Sequence, residues 1–115
     1  CDDSAERWAE ICPVVDVSAG QYNTCAVHSD GQATCWGSGS NGVSEGTPEQ
    51  LTAVALGSTH ACGLDPDGHP VCWGDNTYRQ TAAPSVSDFV QLAAGFYHTC
   101  GLRESGDIRC WGLII

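Results

Sequence analysis

The sequence contains no lysine and no methionine, and only four arginines stand against 14 aspartates and glutamates. The resulting formal charge of −10 repels a phosphate backbone, which argues against nucleic acid as a partner. An anionic membrane surface is disfavoured on the same ground. No apolar run approaches the roughly 18 residues that span a bilayer. There is no Cys-x-x-Cys pair, whereas a structural zinc site usually draws on two close ligand pairs. No spacing suggests an Asp, His and Ser set. Catalytic, metal-bound and cofactor-dependent chemistry therefore lack their usual parts, and neither catalysis nor a cofactor is expected.

What is present is equally uneven. The 115 residues include eight Cys, 14 Gly and four Trp, unlike an average cytosolic domain. The length suits a single domain. An even Cys count without metal-ligand spacing favours a disulfide framework, and so an oxidising compartment: outside the cell, at its surface, in a periplasm or in a secretory lumen. No signal peptide is visible, as expected of a mature secreted chain.

Self-comparison reveals the organisation. Gly20, Gly57 and Gly95 recur at intervals of 37 and 38 residues, and each is followed five residues later by a Cys: Cys25, Cys62 and Cys100. A turn glycine comes next, at Gly31, Gly68 and Gly106, and then Cys-Trp-Gly at Cys35–Gly37, Cys72–Gly74 and Cys110–Gly112. The frame Gly-x4-Cys-x5-Gly-x3-Cys-Trp-Gly is unbroken in all three copies. Repeats are expected over 14–50, 51–87 and 88–115, the last of them truncated, after an N-terminal segment 1–13.

Each repeat reads as short strands separated by turn formers such as Ser29-Asp30-Gly31 and Asp65-Pro66-Asp67-Gly68. Folding the hairpins about residues 30, 67 and 105 opposes Cys25 to Cys35, Cys62 to Cys72 and Cys100 to Cys110. Opposed residues at a non-hydrogen-bonded site come close enough for a disulfide. The same register sets Thr24, Ala61 and Thr99 against Trp36, Trp73 and Trp111. One face of each hairpin then carries the bridge and aliphatic residues, and the other carries the indole. Apolar residues on both faces suit blades stacked on one another, with all three Trp in the repeat core.

The frame, with Gly-x-x-His-x-Cys at Gly57–Cys62 and Gly95–Cys100, resembles the repeats of the regulator of chromosome condensation family. Its Cys-bearing form is similar to the "crinkly" repeats of plant receptor ectodomains and to repeats of secreted bacterial proteins. The resemblance covers about residues 14–112. It implies an all-β propeller with a four-stranded sheet per repeat, and binding rather than chemistry. Nuclear members of the family act on chromatin and a small GTPase, but this acidic, Cys-rich chain departs from them and that activity is not carried over.

Closed propellers have about four to eight blades, so three repeats predict an incomplete arc. Cys1 and Cys12 are the cysteines left to pair. A bridge between them, around a short helix over 4–11, is favoured over lipidation of Cys1, which would orphan Cys12. His60, His98 and Asn23 share one repeat position. A catalytic or zinc-binding His would not tolerate that Asn, so the three are assigned a buried hydrogen-bonding role. His28 and His69 flank turns and are expected at the surface. The Asp65–Gly68 turn lacks the late acidic ligand of a calcium loop and reads as turn chemistry. The exposed faces of the first and last blades, with Trp8 near one and, at the other, a Leu113, Ile114 and Ile115 tail whose backbone has no strand to pair with, predict head-to-tail self-assembly into a filament or ring. Other extracellular proteins form the wider partner class. A ligand- or glycan-binding module using exposed Trp and Tyr, or a fragment of a longer propeller, is the alternative.

Overall fold

A computed structural model of the chain describes residues 13–38 and 41–113. The expected Cys1–Cys12 bridge, the 4–11 helix, Trp8, Ile114 and Ile115 lie outside those residues. Nine strands form three antiparallel sheets in simple meander order. The first blade is β1 (Val14–Ala19), β2 (Asn23–His28) and β3 (Ala33–Gly37). The second is β4 (Ala53–Leu56), β5 (His60–Leu64) and β6 (Pro70–Gly74), and the third β7 (Phe89–Ala94), β8 (His98–Arg103) and β9 (Ile108–Gly112).

The family resemblance implied four strands per sheet, and the described residues hold three. After β3 the chain forms a 3-10 turn at Val43–Glu45 instead of a strand. Its polar groups are used locally, since the Asn41 side chain accepts the Val43 N–H and Asn23 binds Ser38 and Ser44. After β6, Asp75 and Asn76 accept backbone N–H groups from Thr77 and Thr81 in the same way. Such local bonds compete with a strand ladder.

The hairpin register is the one expected. Cys25 opposes Cys35, Cys62 opposes Cys72, and Cys100 opposes Cys110. All three pairs are disulfides, with Cα separations of 4.0–4.1 Å. Thr24, Ala61 and Thr99 stand opposite Trp36, Trp73 and Trp111. The turn glycines Gly31, Gly68 and Gly106 have φ of 91°, 82° and 92°, a region that favours glycine.

The core lies between blades. One cluster joins Cys25 and Val27 of the first blade to Val54, Leu56, Ala61 and Trp73 of the second. The other joins Cys62 and Leu64 of the second blade to Phe89 and Trp111 of the third. The rule is directional: the disulfide face of each blade receives the indole face of the next. Near the strand turns the blades approach so closely that a Cβ on Gly20 would collide with the carbonyl of Gly57. This explains why the frame opens on glycine.

Candidate protein-contact faces

The inter-blade joint shows what a blade face can bind. On the disulfide face of the first blade, Asp16 and Ser18 alternate with the disulfide-distal Val15, Val17 and Ala19 of β1. Their side-chain oxygens accept the N–H groups of Val54 and Leu56, both at 3.0 Å, from the adjacent edge of β4. Trp73 donates its indole N–H to the Val43 carbonyl at 3.1 Å. Ser58 extends the joint to both sides, donating its hydroxyl to Gln21 and its backbone N–H to the Phe96 carbonyl.

The shared polar position is buried and hydrogen-bonded at Asn23 and His60, whereas His98 is only half-buried. Asn23 is buried and donates to the Ser38 carbonyl and the Ser44 hydroxyl, while Asn41 donates to its oxygen. His60 is fully buried and its Nε2 lies 2.7 Å from Thr99 Oγ1 in the next blade. Burial, with His98 nearby, lowers its pKa to about 4, so the imidazole is neutral near pH 7. A Cβ on Gly57 would strike this ring, as one on Gly95 would strike His98. The Gly-x-x-His pattern is thus a packing pair.

Three expectations need correction. His28 is buried, not superficial: it ends β2 instead of entering the turn, and its Nε2 lies 3.1 Å from Thr34 Oγ1. Trp36 is 52% exposed and so is not a core indole like Trp111. Among the described residues nothing lies over it as Val43 lies over Trp73. The backbone of Leu113 is not unpaired either, because its N–H donates to the Tyr97 carbonyl, as Ser38 donates to Tyr22.

His69 is exposed as expected. It lies 3.3 Å from the Asp65 carboxylate, whose other oxygen accepts the N–H groups of Asp67 and His69. These carboxylate bonds shape the turn. Sequence reasoning missed Gln80, which is fully buried, and the ring cluster beside it. Gln80 accepts the Tyr78 N–H, and the Tyr78 and Phe96 rings lie 5.0 Å and 6.2 Å from that of Tyr97. Gln80 left no periodic signal, and of the three rings Tyr97 alone has an aromatic counterpart in the frame, Tyr22.

Among the described residues, two faces stay uncovered. The first blade presents Trp36 and Val17, which are 52% and 61% exposed. The third presents a shallow apolar depression of about 230 Å³ lined by Gln91, Ala93, Cys100, Leu102 and Ile108 among others. These are opposite faces of the blade, one of each kind that pairs inside the molecule.

The family model for the regulator of chromosome condensation (RCC1) repeat matches residues 14–43, 51–80 and 89–113. The chain belongs to that repeat family. Among solved structures it is similar to the ectodomain of the Physcomitrella patens receptor kinase CR4 (33% identity, TM-score 0.72). It is also similar to the CRINKLY WD40 ectodomain of the Arabidopsis thaliana receptor kinase ACR4 (35% identity, TM-score 0.69). Each match covers 84% of this chain, but only 29% and 35% of the respective receptor chains. The Saccharomyces cerevisiae protein Prp20p, whose structure was described with its binding to Gsp1p and histones, shares the fold. There the identity is 19%, the TM-score 0.77, and the coverage 98% of this chain and 34% of Prp20p. No curated protein matches the chain. This RCC1-repeat chain is therefore a propeller-type segment related to extracellular receptor ectodomains. Among its described residues no helix is long and apolar enough to cross a membrane.

Proposed function

We propose that this chain is a non-catalytic extracellular module that works by protein–protein contact, and that it assembles head to tail with copies of itself. The observation that carries this reading is the pair of uncovered faces. One is a disulfide face and the other an indole face, the two kinds that join inside the molecule. A contact between unlike faces is heterologous, so it closes into a ring where the rotation fits and otherwise runs on as a filament. Two chains would make a six-blade ring. Three disulfides among the described residues, and neighbours that are receptor ectodomains, support the extracellular setting. Electron microscopy of the purified chain tests the reading: rings or filaments are expected, and particles of single-chain size would contradict it.

A second reading rests on the Tyr78, Tyr97 and Phe96 cluster, with Tyr22 also exposed. Such rings offer stacking surface to a glycan or other ligand, the binding-module alternative. Glycan-array binding lost on Tyr97→Ala, with the assembly state unchanged, would favour it.

A further inference from the structure

Resting on the self-assembly reading above, we propose that Trp36 of one copy seats on the Cys100–Cys110 bridge of the next, in the depression bounded by Gln91, Ala93, Leu102 and Ile108. The repeat register supplies the geometry. Gln91, Ala93, Cys100, Leu102 and Ile108 occupy the places in the third blade that Asp16, Ser18, Cys25, Val27 and Ala33 occupy in the first. In the first blade that surface packs with Trp73. In the second its counterpart, Cys62 with Leu64, packs with Trp111. Trp36 holds the same position in its own hairpin as Trp73 and Trp111, opposite Thr24.

Charge provides an independent argument. The chain carries −10 overall, yet neither uncovered face has an ionisable carboxylate or an arginine at its strand positions. Val17, Ala19, Thr24, Ala26, Thr34 and Trp36 make up most of one; Gln91, Ala93, Cys100, Leu102, Ile108 and Cys110 make up the other. Depletion of charge at the centre is the compositional mark of a protein interface. The one polar substitution fits the same purpose. Gln91 stands where Asp16 accepts the Val54 N–H, and Val17 stands where Val54 does. The Gln91 side-chain oxygen is thus placed to accept the Val17 N–H of the next copy without burying a charge.

The test uses two surface variants, Trp36→Glu and Ile108→Glu, with Ser87→Glu as a control for added charge. Trp36 and Ile108 are 52% and 63% exposed, so neither change opens the core, and an unchanged near-ultraviolet circular dichroism spectrum checks the fold. By sedimentation velocity, each face variant alone is expected to be monomeric, and the control to assemble like the unaltered chain. An equimolar mixture of the two face variants is expected to form a heterodimer of two chains and stop there, since each supplies one intact face. A self-pairing face predicts otherwise: Ile108→Glu would dimerise alone if Trp36 met Trp36. If the unaltered chain assembles and both face variants still do, this interface is wrong while self-assembly stands. If the unaltered chain is itself monomeric, the self-assembly reading fails, and the faces are left for further blades of a longer chain.

Discussion

At the scale of single residues, the histidines show why position outweighs identity. His60 looks like a candidate ligand in isolation, but its place is filled by Asn23 one repeat earlier, and both sit buried in hydrogen bonds between structural elements. With a folded pKa of about 4 against an ordinary 6.5, His60 is protonated more readily in the unfolded chain. Its contribution to stability is therefore present above about pH 6.5 and is lost as the pH falls through 4. Replacing it by Asn should cost little stability near pH 7 and should flatten the decline between pH 6.5 and 4. Urea titrations of the two proteins across that range check this; an unchanged slope would mean that His60 does not carry it. The disulfides separate in the same way by environment. Cys25 and Cys62 are fully buried, whereas Cys110 is exposed on the uncovered face. Mild reductant followed by alkylation should label Cys100 and Cys110 first, and assembly should protect them.

At the scale of elements, the hairpins were readable because three copies repeat one spacing. The register, the bridges, the turn glycines and the Thr24, Ala61 and Thr99 contacts all follow from where Cys and Gly fall in the frame. His28 was misjudged because closeness to a turn says nothing of which side of the sheet a residue faces. The exposure of Trp36 was missed because the frame treats three indoles alike, while packing depends on the neighbouring blade. Gln80 and Asn41 belong to the irregular segments after the third strands, where no period guides the reading. Asp16 and Ser18 did leave a trace, in the polar alternation of Val15-Asp16-Val17-Ser18. The turns give a prediction with an internal control. Gly68→Ala and Gly106→Ala both place a Cβ at positive φ, which costs about 1 kcal/mol. Only at Gly68 does the Cβ also meet backbone, with the Phe89 carbonyl 2.8 Å and the Asp88 nitrogen 2.9 Å away; around Gly106 the space is open. Thermal unfolding should show Gly68→Ala as clearly the more damaging. Equal losses would mean that the second and third blades do not meet at this turn.

At the scale of the whole molecule, stability and function draw on the same joints. Each bridge closes a short loop and is worth about 2–3 kcal/mol on the chain-entropy account, so removing Cys62 and Cys72 together as Ala should lower unfolding free energy by about that much. The hydrophobic clusters lie between blades, and each is made from one disulfide face and one indole face. Among the described residues that arrangement leaves an unlike face uncovered on each outer blade, which is the basis of the assembly reading. Sedimentation equilibrium of the native, oxidised chain over a wide concentration series tests it most directly. The account predicts an average mass that rises with concentration past that of one chain and falls back to one chain in the Trp36→Glu variant. A single-chain mass held to the highest concentration reached would contradict it.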